Sequence, residues 1–152
     1  MNETDEAEVY ATAVALLARR EHSARELARK LQSRGYVQPL VDAALARLVK
    51  ERLQSDRRYT EAYLHQRSEK GYGPLPIQAE LQEHGVTEAL IVECMRHAAD
   101  EGEIDWYERA ATVYTRKFGG RPIEDVKERA KRQRFLYYRG FSHEQIAAVI
   151  DD

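Results

Sequence analysis

RSEKGYGPLPIQAELQEHGV, residues 67–86, sets Gly71, Gly73, Pro74 and Pro76 around Tyr72, between a charged run and an apolar-periodic one. A phosphate-cradling loop, a flexible hinge and a corner between two helices all use glycine and proline in this way. The phosphate loop fails, because the stretch lacks the Walker spacing and no strand pattern precedes it. A corner is the reading that the rest of the chain repeats.

Gly35, Gly85 and Gly140 each follow a leucine by four residues, namely Leu31, Leu81 and Leu136. Each is followed by an apolar residue, Tyr36, Val86 or Phe141, and six residues on by Val41, Ile91 or Ile146. Ten residues after the glycines stand Leu45, Met95 and Ile150. This grammar predicts a helix that ends one turn past its leucine, a left-handed glycine, and an apolar residue tucked back under the turn. A second helix then begins, its apolar positions facing the same core. Ser142 and Thr87 suit its N-cap in two copies, and Pro39 suits its first turn in the other.

Upstream of each pair lies another helical segment, at 9–20, 57–70 and 104–118. Gly73 lies twelve residues before Gly85, as Ser23 lies twelve before Gly35. The opening stretch is therefore the corner between the first two helices of a middle unit. The expected architecture is all-α: three tandem three-helix repeats of helix-turn-helix-like form, at 9–55, 56–102 and 103–152, after an acidic tail over 1–8. Gly102 and the Gly119-Gly120 pair mark connections where small movements would adjust curvature.

Composition agrees. Hydrophobic residues are 43% and charged residues 33% of the chain, which fits a globular protein with a heavily charged surface. One cysteine forms no intramolecular disulfide, in keeping with a reducing compartment. No apolar run approaches the roughly 18 residues of a membrane span. The acidic N-terminus lacks the pattern of an export signal. A soluble, cytoplasmic protein without membrane contact is expected.

The net charge of −2 conceals polarity along the chain. Residues 116–139 hold nine Lys/Arg against three Asp/Glu, whereas 57–103 hold five against nine. On a helix beginning near Glu124, Lys127, Lys131 and Arg134 fall at i, i+4 and i+7 and share a face, a line of charge for phosphates or an acidic groove. The competing reading is an ordinary solvated face. Tyr72, between glycines and near Arg67 and Lys70, is placed either to stack on a base or to plug a partner pocket, against a core role. Tyr59, Tyr63, Trp106 and Phe135 stand at spacings expected of core.

Catalytic and metal sites are not expected, and no cofactor is implied. His22, His65, His84, His97 and His143 are scattered. Cys94 and His97 stand at i and i+3, but nothing completes a metal set; Cys94 aligns with Ala44 and Val149, a core register. The acidic run over 100–105 reads as capping of the next helix.

These residues carry a resemblance. Asp56, Arg57, Arg58 and Tyr59, the run 67–74, then Ile77, Glu80-Leu81 and Gly85-Val86 resemble the central signature of RecX proteins. So does RFLYYRGF at 134–141, and the first unit is similar in 25–31 and Gly35-Tyr36. The resemblance implies a bacterial regulator of the RecA recombinase, acting in homologous recombination, DNA repair and the SOS response. It implies three tandem three-helix repeats forming an elongated, curved molecule that lodges in the RecA–DNA filament groove. There it would limit filament growth, strand exchange, ATP hydrolysis and co-protease activity. RecA, with single- or double-stranded DNA held weakly or within the filament, would be the partner of a monomer. Candidate contacts are Arg67, Lys70, Tyr72, Lys127, Lys131, Arg132, Arg134 and Arg139. Arg132 breaks the pattern: the position eight before the repeat glycine is Leu27 and Ile77 in the other copies, so it either makes the core shallower or faces the partner. An independent helix-turn-helix-like DNA-binding module is the alternative. Its expected recognition helices, 39–53, 87–99 and 142–150, are poor in Lys/Arg on any one face. A small hydrolase would need a nucleophile, base and orienting group that the chain does not display together.

Overall fold

The computed structural model describes residues 3–151. Among them are nine α-helices and no strand: α1 (Glu3–Arg19), α2 (Ala24–Ser33), α3 (Gln38–Lys50), α4 (Asp56–Glu69), α5 (Pro74–Glu83), α6 (Glu88–Asp100), α7 (Trp106–Phe118), α8 (Val126–Arg139) and α9 (His143–Ile150). They fall into three consecutive triplets. Residues 3–8, expected as a tail, belong to α1, and Glu8 accepts a hydrogen bond from the Tyr36 hydroxyl at 3.1 Å.

The three repeat corners share one backbone motif. Gly35, Gly85 and Gly140 adopt φ of +91°, +87° and +100°. The next residue reaches back to the leucine carbonyl: Tyr36 N to Leu31 O at 3.3 Å, Val86 N to Leu81 O at 3.1 Å, Phe141 N to Leu136 O at 3.2 Å. These bonds satisfy helix-end carbonyls that would otherwise be orphaned. The three leucines are fully buried; burying such a side chain stabilises by about 1.5–3 kcal/mol.

The same motif closes the third helix of two repeats. Glu103 N bonds Ala98 O at 2.9 Å around Gly102, and Leu53 N bonds Leu48 O at 2.9 Å around Arg52. Arg52, at φ 62°, is the one non-glycine among the described residues with positive φ.

The chain divides into two compact units, Met1–Ala62 with Leu81–Leu90, and Tyr63–Glu80 with Ile91–Asp152. In the first, Val9, Ala13, Leu27, Leu31, Val41 and Leu48 form the centre of a core shared by α1, α2 and α3. In the second, Ala110, Val113, Leu136, Phe141, Ile146 and Ile150 do so for α7, α8 and α9.

Each unit contains one docking of a helix N-terminus on the corner of the following repeat. In the first, Ser23, the N-cap of α2, accepts from Glu26 N at 3.1 Å and donates its hydroxyl proton to the His84 carbonyl at 2.7 Å. In the second, Gly73 N donates to the Arg139 carbonyl at 2.7 Å and Leu75 N to the Gly140 carbonyl at 3.2 Å. A Cβ on Gly73 would lie 2.4 Å from the carbonyl carbon and oxygen of Gly140, and one on Gly140 would lie 2.0 Å from Pro76 Cδ. That close approach is why the corner reads GYGP: backbone meets backbone there.

A polar network accompanies the first docking. Asp56, which opens α4, accepts from Ala24 N at 2.8 Å and from Gln54 Nε2 at 2.9 Å. Gln54 Nε2 also donates to the His22 carbonyl at 3.2 Å. The buried polar groups of this network are thus paired, as the low interior dielectric requires.

Candidate partner surface

The end of α4 and the corner after it gather one cluster of aromatic and cationic groups. Gly71, at φ +93°, turns the chain, and Tyr72 N bonds back to Arg67 O at 3.2 Å. The turn brings Tyr72 under Arg67, whose guanidinium carbon lies 4.1 Å from the ring centroid. Glu80 holds that arrangement, accepting from Arg67 Nη2 at 3.3 Å and from the Tyr63 hydroxyl at 2.7 Å. Tyr72 is half-buried.

Arg139, the last residue of α8, joins from the other end of the sequence. Its guanidinium carbon is 5.9 Å from the Tyr72 ring and 5.3 Å from the Phe135 ring. Lys117 Nζ lies 5.6 Å from Phe135. Contacts of this kind contribute about 0.5–1 kcal/mol each when exposed, and more when water is excluded.

Between them runs a cleft of about 260 Å³ lined by Lys70, Gly71, Val113, Arg116, Lys117, Phe135 and Arg139. Four of the seven are cations and none is a carboxylate. Positive charge without an internal counter-charge raises the local potential and favours an anionic partner. Phe135 adds an apolar floor.

The α8 stripe is less uniform. Lys127, Lys131 and Arg134 are exposed on the helix and line a larger cleft of about 730 Å³ with Lys117 and Arg121. Glu124, Asp125 and Glu128 line it too, so the field there is mixed.

Arg132 borders this cleft from within the core. It is only 3% exposed. Its guanidinium donates to Glu128 Oε1 at 2.9 Å, to the Tyr114 hydroxyl at 2.7 Å, to the Arg121 carbonyl at 2.9 Å and to the Pro122 carbonyl at 3.4 Å. The hydrogen bonds to Tyr114 and Glu128 push its pKa up. The expectation of a partner contact at Arg132 is therefore corrected: it occupies the core register of Leu27 and Ile77 and ties the 119–125 loop to α8.

Of the other expected contacts, the structure brings Arg67, Lys70, Tyr72 and Arg139 together, and sets Lys127, Lys131 and Arg134 along α8. Sequence reasoning missed Arg116, Lys117 and Phe135 as members of the cleft. The basic excess beginning at Arg116 was the available signal, but periodicity assigned Phe135 to the core, which it also touches. Elsewhere, Cys94 is buried and His97 exposed, and no group of three or more His/Cys/Asp/Glu able to hold a metal lies among the described residues. Asp105 caps α7, accepting from Tyr107 N at 3.0 Å and Glu108 N at 3.3 Å. No described helix is long and apolar enough to cross a membrane.

Fold and surface together define an all-α protein of tandem three-helix repeats bearing a cationic, aromatic-lined face. Family models described as the first, second and third three-helix domains of RecX match residues 10–48, 55–95 and 103–150. "Regulatory protein RecX" of Pseudomonas entomophila is 44% identical over 142 residues, 93% of this chain and 89% of that protein. Its counterpart from Pseudomonas savastanoi pv. phaseolicola shows the same identity and coverage. The crystal structure of RecX from Lactobacillus salivarius superposes with a TM-score of 0.82 at 19% identity, covering 99% of this chain and 97% of the other. A second crystal structure, of regulatory protein RecX, gives 0.77 at 21% identity, covering 97% and 73%. The chain belongs to the RecX family of regulatory proteins.

Proposed function

We propose that this protein is a regulator, mainly an inhibitor, of the RecA recombinase. It lodges in the groove of the RecA–DNA filament and limits filament growth, strand exchange, ATP hydrolysis and co-protease activity. Its action is steric and electrostatic rather than enzymatic, and it works as a cytoplasmic monomer. The cationic cleft of Lys70, Arg116, Lys117 and Arg139 carries this reading: four cations around Phe135 answer acidic groove residues or DNA phosphates. Lys127, Lys131 and Arg134 extend the positive face along α8.

RecA's DNA-dependent ATP hydrolysis, titrated with this protein, tests the reading. Wild type suppresses hydrolysis at sub-stoichiometric amounts. The exposed-site variant Lys70→Ala/Arg116→Ala/Lys117→Ala keeps its helical signal and requires at least tenfold more protein, with a weaker dependence on salt. Full suppression by the variant would remove the cleft from the mechanism. No suppression by wild type would remove the recombinase.

A further inference from the structure

We propose that the Gly35 corner of the first repeat is an open docking site that receives the N-terminus of an α-helix from the recombinase subunit. This inference rests on the function proposed above. Two corners inside the chain show what such a site takes. The donors are Ser23 and Gly73, each twelve residues before its repeat glycine; the acceptors are the carbonyls of His84 and Arg139, each one residue before the next repeat's glycine. Donor and acceptor positions are thus equivalent in both dockings.

The third acceptor of the series is the Arg34 carbonyl, and its corner has the same geometry. Gly35 has φ +91°, and Tyr36 N bonds back to Leu31 O. Yet a Cβ on Gly35 would meet nothing within 4 Å, where one on Gly85 meets Arg25 at 2.7 Å and one on Gly140 meets Pro76 at 2.0 Å. Among the described residues no backbone donor reaches the Arg34 or Gly35 carbonyl. Arg34 and Gly35 are exposed, and Val37 beside them is 51% exposed. The open corner continues the series of two filled ones.

Chemistry selects the occupant. The corner offers carbonyl acceptors at the negative end of α2, so it suits a helix N-terminus, whose N–H groups are donors at the positive end of a dipole. The residue at the contact must be small, glycine or serine, because the filled corners leave no space for more. Phosphate oxygens are acceptors and gain nothing against carbonyls. At the donor position of the series, twelve residues before the repeat glycine, a second copy of this chain offers no free terminus, since Ser23 and Gly73 are already engaged. In the third repeat the donor position falls on Glu128, inside α8, because that helix has 14 residues where α2 and α5 have 10. Its N-cap, Asp125, presents a carboxylate without a proton to donate.

Gly35→Asn tests the site. Asparagine tolerates a left-handed backbone, and its side chain enters the open space, so the variant keeps its helical signal and melting transition while the corner is blocked. Two measurements use RecA assembled on single-stranded DNA: affinity for wild type and variant, and amide hydrogen exchange of wild type, free and bound. The expected result is binding weakened at least tenfold by Gly35→Asn, with amides 34–38 of wild type protected in the complex. Equal affinity of a folded variant, or unprotected 34–38 in bound wild type, overturns the inference and leaves the proposed function standing. If the variant unfolds, the exchange pattern of wild type decides alone. Failure of wild type to bind the filament overturns the proposed function, and this inference with it.

Discussion

The buried guanidinium of Arg132 donates through Nη1 to the hydroxyl of Tyr114, 2.7 Å away and eighteen residues earlier in the chain. The same nitrogen reaches the Arg121 carbonyl, so one side chain joins α7, α8 and the loop between them. Arg132→Met would keep the bulk and strand those partners. The expected outcome is a melting temperature lower by roughly 5–10 °C, with recombinase suppression retained at temperatures where the variant is folded. Thermal melts paired with the hydrolysis assay check both halves; loss of suppression in a folded variant would return Arg132 to the contact surface.

Two glycine substitutions separate close approach from backbone strain. Gly73→Ala puts a methyl 2.4 Å from the Gly140 backbone, which cannot move aside without breaking the Gly73–Arg139 hydrogen bond. A cost of about 2–4 kcal/mol is expected. Gly102→Ala meets nothing within 4 Å and carries only the left-handed penalty, roughly 1 kcal/mol. Urea denaturation of the two variants should preserve that order.

Arg52 occupies the register that Gly102 fills in the next repeat, at φ 62°. Replacing it with glycine relieves a left-handed penalty of roughly 1 kcal/mol and gives part of that back through a freer unfolded chain. Arg52→Gly is expected to be slightly more stable than wild type, by about 0.5 kcal/mol after the two effects are combined. A denaturation midpoint below that of wild type would contradict the strain.

His22 supplies a pH signature. Its ring is 1% exposed; Nδ1 donates to the Arg20 carbonyl at 2.9 Å and Nε2 accepts from Lys30 Nζ at 2.9 Å. Burial, opposed by the backbone hydrogen bond, holds its pKa below the usual histidine value, and the neighbouring Arg20 and Lys30 charges act in the same direction as burial, against Glu26. The unfolded chain therefore binds more protons than the folded one below pH ~6.5. Stability contributed by neutral His22 is complete above that pH and declines as pH falls through the lowered folded value. His22→Asn should flatten the stability profile as pH falls below ~6.5; an unchanged slope would assign the acid sensitivity to another group.

The leucine–glycine–apolar spacing made the three corners legible, because a left-handed glycine and its back-packed neighbour are a local device that needs no knowledge of the partner helix. Ser142, Thr87 and the acidic run ending at Asp105 were legible as caps for the same reason. What eluded the sequence is non-local. Nothing near Lys70 announces that Arg116 and Lys117 line the same cleft. Nor does arginine at a leucine register say whether the helix turns outward or the core supplies carbonyls, and for Arg132 it is the latter, in a loop whose own carbonyls needed donors. The acidic residues before Val9 suggested a tail, yet their helix continues to Glu3, where an apolar count has no power to see it.

The docking of Ser23 on His84 and of Gly73 on Arg139 gives the chain a direction in time. α2 and α5 are each completed by residues that lie about sixty positions further along, so on the ribosome α2 waits for the second repeat and α5 for the third. Translation must nearly finish before the middle of the molecule can close. Loss of the last repeat, by premature termination or proteolysis, strips the cap from α5, whereas loss of the first uncovers the Gly85 corner and leaves the N-terminal bonds of α5 in place. The two ends of this protein are not equally dispensable.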